Sequence, residues 1–237
     1  MAFEPPIAVY DACVLYPFHL RNLLVQCAVD HLVDARWTDE IHDEWIRNVA
    51  ANDPTIPVSH LYAARNLMNA ALPSATVTAY QDVISSIALP DADDRHVVAA
   101  AITSGASVIV TWNVRDFPAA ELRRHQLQSL TPDIFLAGLY AQAPDAMIAV
   151  VLRARHNLRK SKVSAEDFVE ALRRQKLVRF TSKIEPHIAK LSLGHLLQGD
   201  RVALLAEDQE LSPNDAAVIL GISRPLVVHR MDIGERD

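Results

Sequence analysis

A chain of 237 residues, half of them hydrophobic and 22% charged, has the composition of a soluble globular protein with a real core, and suits one large domain or a medium domain with an appendage. A net charge of −6 argues by itself against a nucleic-acid partner, no apolar run reaches the roughly 18 residues a membrane helix needs, and MAFEPPIAVYDACVLYP lacks the basic region of a signal peptide. Two cysteines, Cys13 and Cys27, read as reduced thiols of a cytoplasmic protein, and no Cys/His spacing suggests zinc.

In chain order, IAVYD (7–11) predicts a short strand that ends on Asp11, and a helix follows Pro17 to about Val33. WTDEIHDEWIRNVA (37–50) predicts a helix capped by Thr38, with Ile41, Trp45 and Val49 on one face. Glu44 lies about 60° from Ile41, at the border of that stripe. Glu40 is further from it, and Asp43 faces solvent. VSHLYAARNLMNAAL (58–72) predicts an amphipathic helix and AYQDVISSIAL (79–89) a shorter one.

LPDADDRHVVAAAI (89–102) sets Asp91, Asp93 and Asp94 ahead of an apolar helix. Aspartates there satisfy free amides and suit the helix dipole. At about 100° per residue, Val97, Val98, Ala101 and Ile102 form one stripe with Asp94 at its centre. Asp93, Arg95 and His96 point away, which puts His96 at the surface. A carboxylate aimed along a buried face needs a charged partner, and a metal ion is the usual one.

SVIVTW (107–112) predicts a strand followed at once by Asn113 and Asp116, and LQSL (127–130) a strand leading into the helix TPDIFLAGLYAQ. Short buried strands alternating with helices predict a three-layer α/β/α fold around a parallel sheet. Sites in such sheets form beyond the carboxyl ends of the strands. Asp11, Glu44, Asp94 and Asp116, from four separate elements, can all reach that edge. Hard oxygen ligands without sulfur point to Mg2+ or Mn2+.

VYDACVLYP, the helix carrying Glu44, LPDADDRHVVAAAITSGASVIVTWNVRDFP and LTPDIFL together resemble a PIN-domain ribonuclease of the VapC-like toxin type, over roughly residues 5–138. The resemblance implies Asp11, Glu44 and Asp94 as the three core acids. The fourth place is open: many relatives carry an acid two residues after the threonine, where this chain has Asn113, and Asp116 is the acid nearby. Asp91 and Asp93 either assist through waters or only cap the helix. Thr111 either sets a hydroxyl near the metal or is a buried strand threonine. The implied substrate is RNA, cleaved to 5′-phosphate and 3′-hydroxyl ends, and the implied partners are an antitoxin protein and further copies of the chain in a homo-oligomer. Arg115 either contacts phosphate or is a plain surface arginine. No serine lies in a G-x-S-x-G turn, so a nucleophilic triad is unsupported.

Between Arg153 and Lys183 ten Lys/Arg face three acids, a local charge of +7 in a chain that is otherwise −13. The stretch resembles a helical extension carried by some relatives, and either grips RNA, through Arg155, Arg159 and Lys160, or packs on the core. LSPNDAAVILGISRPLVVHRMDIGE (211–235) reads as helix, turn at Gly221, helix. Its stretch DAAVILGISRPLVVHRMD resembles the DNA-binding half of an excisionase-like antitoxin, without the wing that usually completes that module. The expected organisation is a nuclease core (1–140), a basic helical extension (141–189) and an antitoxin-related segment (190–237). The expected function is a metal-dependent endoribonuclease regulated in cis by its last segment, which could also bring the complex to operator DNA. The rival expectation is a DNA-binding regulator that uses the core as a scaffold. Four intact acids favour the enzyme.

Overall fold

The computed structural model describes residues 3–158 and 163–192. The helix-turn-helix-like stretch 211–235, Arg159 and Lys160 lie outside the described residues.

Four strands, β1 (Ile7–Tyr10), β2 (Asp34–Arg36), β3 (Val108–Val110) and β4 (Gln128–Leu130), pair in parallel in the order β2-β1-β3-β4. Ile7 stands opposite Asp34, Val9 opposite Ile109, and Ile109 opposite Ser129. Ala8, Val9, Tyr10, Ile109 and Val110 are all fully buried, so successive side chains on both faces of the central strands are covered. This is the expected α/β sheet with helices on each side.

The helices are α1 (Ala12–Leu15), α2 (Phe18–Val29), α3 (Asp39–Asn52), α4 (Val58–Ala71), α5 (Gln81–Ile84), α6 (Arg95–Ser104), α7 (Ala119–Arg124), α8 (Pro132–Gln142), α9 (Pro144–His156), α10 (Ala165–Arg174), α11 (Val178–Ile184) and α12 (Ile188–Ser192). Thr38, Thr131 and Ser164 cap α3, α8 and α10, accepting the amides of Ile41, Ile134 and Asp167. Gly105, at φ +67°, ends α6 in the left-handed region and lets Ala106 N–H return to Ala101 O at 2.9 Å.

Some elements depart from the periodicity: the helix expected over 79–89 is only the single turn Gln81–Ile84. The helix after Pro17 stops at Val29 instead of running to about Val33, and the chain turns there into β2. His31 takes φ 59°, Leu32 N–H returns to Cys27 O at 2.9 Å, and His31 N–H to Ala28 O at 3.1 Å, which closes α2 without a glycine. β2 is the three residues DAR, with one apolar side chain, and among the described residues its only strand partner is distant β1. No local pattern announces such a strand.

The described part of the basic extension packs on the core. Asn22 Nδ2 on α2 donates to Ala154 O on α9 at 2.7 Å. Asn157 Nδ2 donates to Asn22 Oδ1 at 3.0 Å and Gln26 Oε1 at 3.1 Å, and Arg153 pairs with Asp30 at 2.9 Å. Asp133 on α8 accepts the amides of Arg179 and Phe180 at the start of α11, at 3.1 and 2.8 Å. Among the described residues no helix is long and apolar enough to cross a membrane.

Candidate functional site

The chain leaves β1 for β2 on one side and later enters β3 on the other, so the carboxyl ends of β1 and β3 form the switch point of the sheet. Asp11 follows β1, only 3% exposed, with its N–H on Val110 O at 3.1 Å. Thr111 follows β3 and donates its hydroxyl to Asp11 Oδ2 at 2.6 Å, while its oxygen accepts Asn113 N–H at 2.9 Å. Cys13 Sγ–H donates to the same Oδ2 at 3.1 Å and accepts Trp112 N–H at 3.2 Å. Burial, then the Asp11 charge, push the Cys13 thiol well up and keep it protonated.

Glu44 owes its place to the inner face of α3. Trp45 Nε1 donates to His42 Nδ1 at 2.9 Å, and His42 Nε2 meets Asn69 Oδ1 on α4 at 3.2 Å. Asn69 also accepts Trp37 Nε1 at 2.8 Å. Burial drives His42 down to about 4, so the ring stays neutral, as these two bonds require. Glu44, next to Trp45, sits at the rim of that face with 35% of its side chain exposed. Burial, then the charges of Asp11 and Asp94, raise its carboxyl to about 7, with Arg47 pulling the other way.

Asp94 precedes α6 but its side chain makes no capping bond. Asp91 makes the local turn instead, accepting Asp93 N–H at 2.9 Å. Asp94 is half-buried, and burial, then Asp11, Asp91, Asp116 and Asp93, raise it to about 6. Asp116 ends the 3-10 turn Val114–Asp116 after β3. Asp11 and Asp94 therefore each act on Glu44, and Asp11 and Asp116 each act on Asp94, whereas Asp91, Asp93 and Asn113 are exposed. Among the described residues no three acid, histidine or cysteine side chains are gathered as a finished metal cage. Like charges gathered without a counter-ion repel, which is part of what raises Glu44 and Asp94. An all-carboxylate set of this kind suits a hard divalent cation.

Three residues escaped the sequence reading. His96 was expected at the surface and is 6% exposed, with Nδ1 3.8 Å from Glu40 and Nε2 3.9 Å from Glu44. The one-stripe picture failed because α6 is covered nearly all round: His96, Val97, Val98, Ala99, Ala100 and Ala101 are all buried. Cys13 stood two residues from Asp11 at a strand end, and that position was the available signal. Arg21 is fully buried against Trp45 and has no sequence signal. Of the candidate RNA contacts, Arg115 is exposed beside Asp116, whereas Arg155 is half-buried and donates to Val163 O at 3.0 Å.

A PIN domain model matches residues 8–115, and a VapC50 C-terminal domain model matches residues 132–186. A relative named "Putative ribonuclease VapC50", from Mycobacterium tuberculosis (strain ATCC 25618 / H37Rv), is 47% identical over 58 residues, 23% of this chain and 34% of that protein. The match thus spans about a third of the relative's length. No solved structure matches the chain. The first match covers β1 to β3 with Asp11, Glu44 and Asp94, the second covers α8 to α11, and Asp116 and β4 lie outside both. Residues 8–115 are thus similar to the PIN-domain family, and residues 132–186 to a C-terminal domain of the VapC50 type.

Proposed function

We propose that this chain is a divalent-metal-dependent endoribonuclease, the toxin of a toxin–antitoxin pair acting in the cytoplasm. The observation that carries the reading is the gathering of acids at the switch point, where burial and the charges of neighbouring acids raise Glu44 to about 7 and Asp94 to about 6. Two carboxyls that ionise reluctantly beside further acids make a site prepared for a cation. Asp11, Glu44 and Asp94 would hold Mg2+ or Mn2+, with Asp116 as the fourth acid. When bound, the ion supplies a water of lowered pKa and stabilises charge on the phosphodiester.

The chain's own residues do the rest. Thr111 and Cys13 hold Asp11 in place. Glu44 and Asp94 give up their protons as a cation arrives, which makes binding favourable at rising pH. Arg115, exposed next to Asp116, would meet a backbone phosphate, and the exposed Asp91 and Asp93 would act through waters. RNA as substrate rests on the PIN family and on the relative's name. An antitoxin, in trans or as the segment 190–237 in cis, would close the site, and through it the assembled homo-oligomer would reach operator DNA.

The test is cleavage of a panel of RNAs with Mg2+, Mn2+ or EDTA. Wild type should cleave only with metal, and Asp11→Asn should lose at least 100-fold while keeping its circular dichroism, since metal ligands supply the core of such chemistry. Full activity of Asp11→Asn, or cleavage in EDTA, would refute the assignment.

A further inference from the structure

We propose that Cys13 is a positioning residue which, together with Thr111, claims one oxygen of Asp11 and so makes Asp11 a single-oxygen ligand through Oδ1. The inference deepens the metal-dependent reading of this site and rests on it.

The geometry is specific about who donates. Thr111 Oγ1 accepts Asn113 N–H at 2.9 Å, so its one proton is free for Asp11 Oδ2, 2.6 Å away. Cys13 Sγ accepts Trp112 N–H at 3.2 Å, which orients the sulfur from the β3 side, and its proton goes to the same Oδ2 at 3.1 Å. The 3.4 Å approach between Cys13 Sγ and Thr111 Oγ1 is the result of two donors converging on one acceptor. Asp11 Oδ1 has no hydrogen-bond partner among the described residues. The thiol also ties α1 to the end of β3, because it joins the carboxylate after β1 to the amide of Trp112.

A carboxylate with one oxygen held by two donors cannot easily swing to chelate with both. Such partners of a metal ligand fix its orientation and tune its basicity, and losing one typically weakens metal binding about 10- to 100-fold. Cys13 is a weak donor made stronger by the charge it meets, so its loss belongs at the low end of that range.

The test is titration of the full chain with Mn2+, followed by calorimetry and by thermal melts in EDTA, so that binding and fold are read apart from cleavage. Wild type and C13S should bind Mn2+ alike, because a hydroxyl keeps both bonds. C13A should bind about ten-fold more weakly with a melting temperature within a few degrees of wild type. C13A and T111V should be less than additive in the double variant, since both act on one oxygen. A C13A affinity within two-fold of wild type overturns the inference and leaves the metal site standing. So does a C13A chain that melts lower but binds normally, which is the signature of packing alone. If C13A does not fold, C13S decides, and loss of Mn2+ affinity in folded C13S overturns the inference. Absence of Mn2+ binding in wild type, or equal binding by D11N, overturns the reading of the site and this inference with it.

Discussion

At the residue scale the site is an electrostatic conflict. Glu44 near 7 and Asp94 near 6 bind protons that the unfolded chain releases at their ordinary values of 4.5 and 3.8. Between those limits the folded state holds more protons than the unfolded one, so the metal-free protein loses stability as pH rises through 6 and 7. Both side chains are substantially exposed and solvent screens them, so the effect is modest. Melting in EDTA should fall by roughly 2–4 °C between pH 5.5 and 8, about what 1 kcal/mol does to a chain of this size. The double variant E44Q/D94N should flatten that slope, and Mn2+ should restore the lost stability at pH 8 more than at pH 5.5. Asp94→Asn alone should raise the EDTA melting temperature by about 1–3 °C while abolishing cleavage, because it removes one of the mutually repelling charges. An unchanged or lowered melting temperature would show that charge repulsion at Asp94 does not destabilise the metal-free site.

At the scale of elements, two buried polar clusters hold the site's helices. Arg21 on α2 donates to Leu15 O at 2.6 Å and Tyr16 O at 3.3 Å, at the end of α1, and stacks on Trp45 of α3 with its guanidinium carbon 4.4 Å from the ring centre. Burial lowers it to about 10, so it remains a cation at neutral pH and its attraction to the indole survives. Arg21 thereby links the helix that starts after Asp11 to the helix that carries Glu44. The second cluster, Asn22, Gln26 and Asn157, joins α2 to α9. Asn22→Ala would leave Ala154 O without its side-chain donor and remove one of the two acceptors of Asn157 Nδ2. Each buried group left unpaired costs about 1–3 kcal/mol, so the expected loss is about 2–4 kcal/mol. That corresponds to roughly 5–12 °C, measurable by calorimetry. A loss under 0.5 kcal/mol would mean that water replaces the missing side chain.

At the scale of the whole molecule, the +7 stretch is partly neutralised by its own packing. Arg153 meets Asp30, Arg173 meets Glu170 and Glu185, Arg174 meets Glu170, and Arg155 meets a backbone carbonyl. Mutating Arg153 should therefore lower stability more than RNA affinity. For the segment beyond the core, the cut should follow Ser192, because Leu191 is 1% exposed and belongs to the core. If the last segment inhibits in cis, removing 193–237 should raise RNA cleavage about ten-fold or more, because a tethered contact acts at an effective concentration of about millimolar. Lower cleavage with weaker RNA binding would assign the segment to substrate instead, and an unchanged rate would end the regulatory proposal.

Local pattern was enough for much of the fold. Thr38 announced its helix, IAVY and VIV read as buried strands, and Asp11 and Asp116 could be set at the carboxyl edge from their places after β1 and β3. These features are carried by neighbours in the chain: a capping hydroxyl with the amide three residues on, or an apolar run bounded by polar residues. β2, the burial of His96, the place of Arg21 over Trp45 and the convergence of Cys13 and Thr111 on one oxygen were decided only by the tertiary structure. Each depends on partners far apart in sequence, Cys13 and Thr111 by 98 residues, and a helix phase cannot say that a second layer covers its other face. Sequence could nominate the acids by type and position, but how far Glu44 and Asp94 resist ionising is set by the burial and the neighbouring charges that folding brings to them.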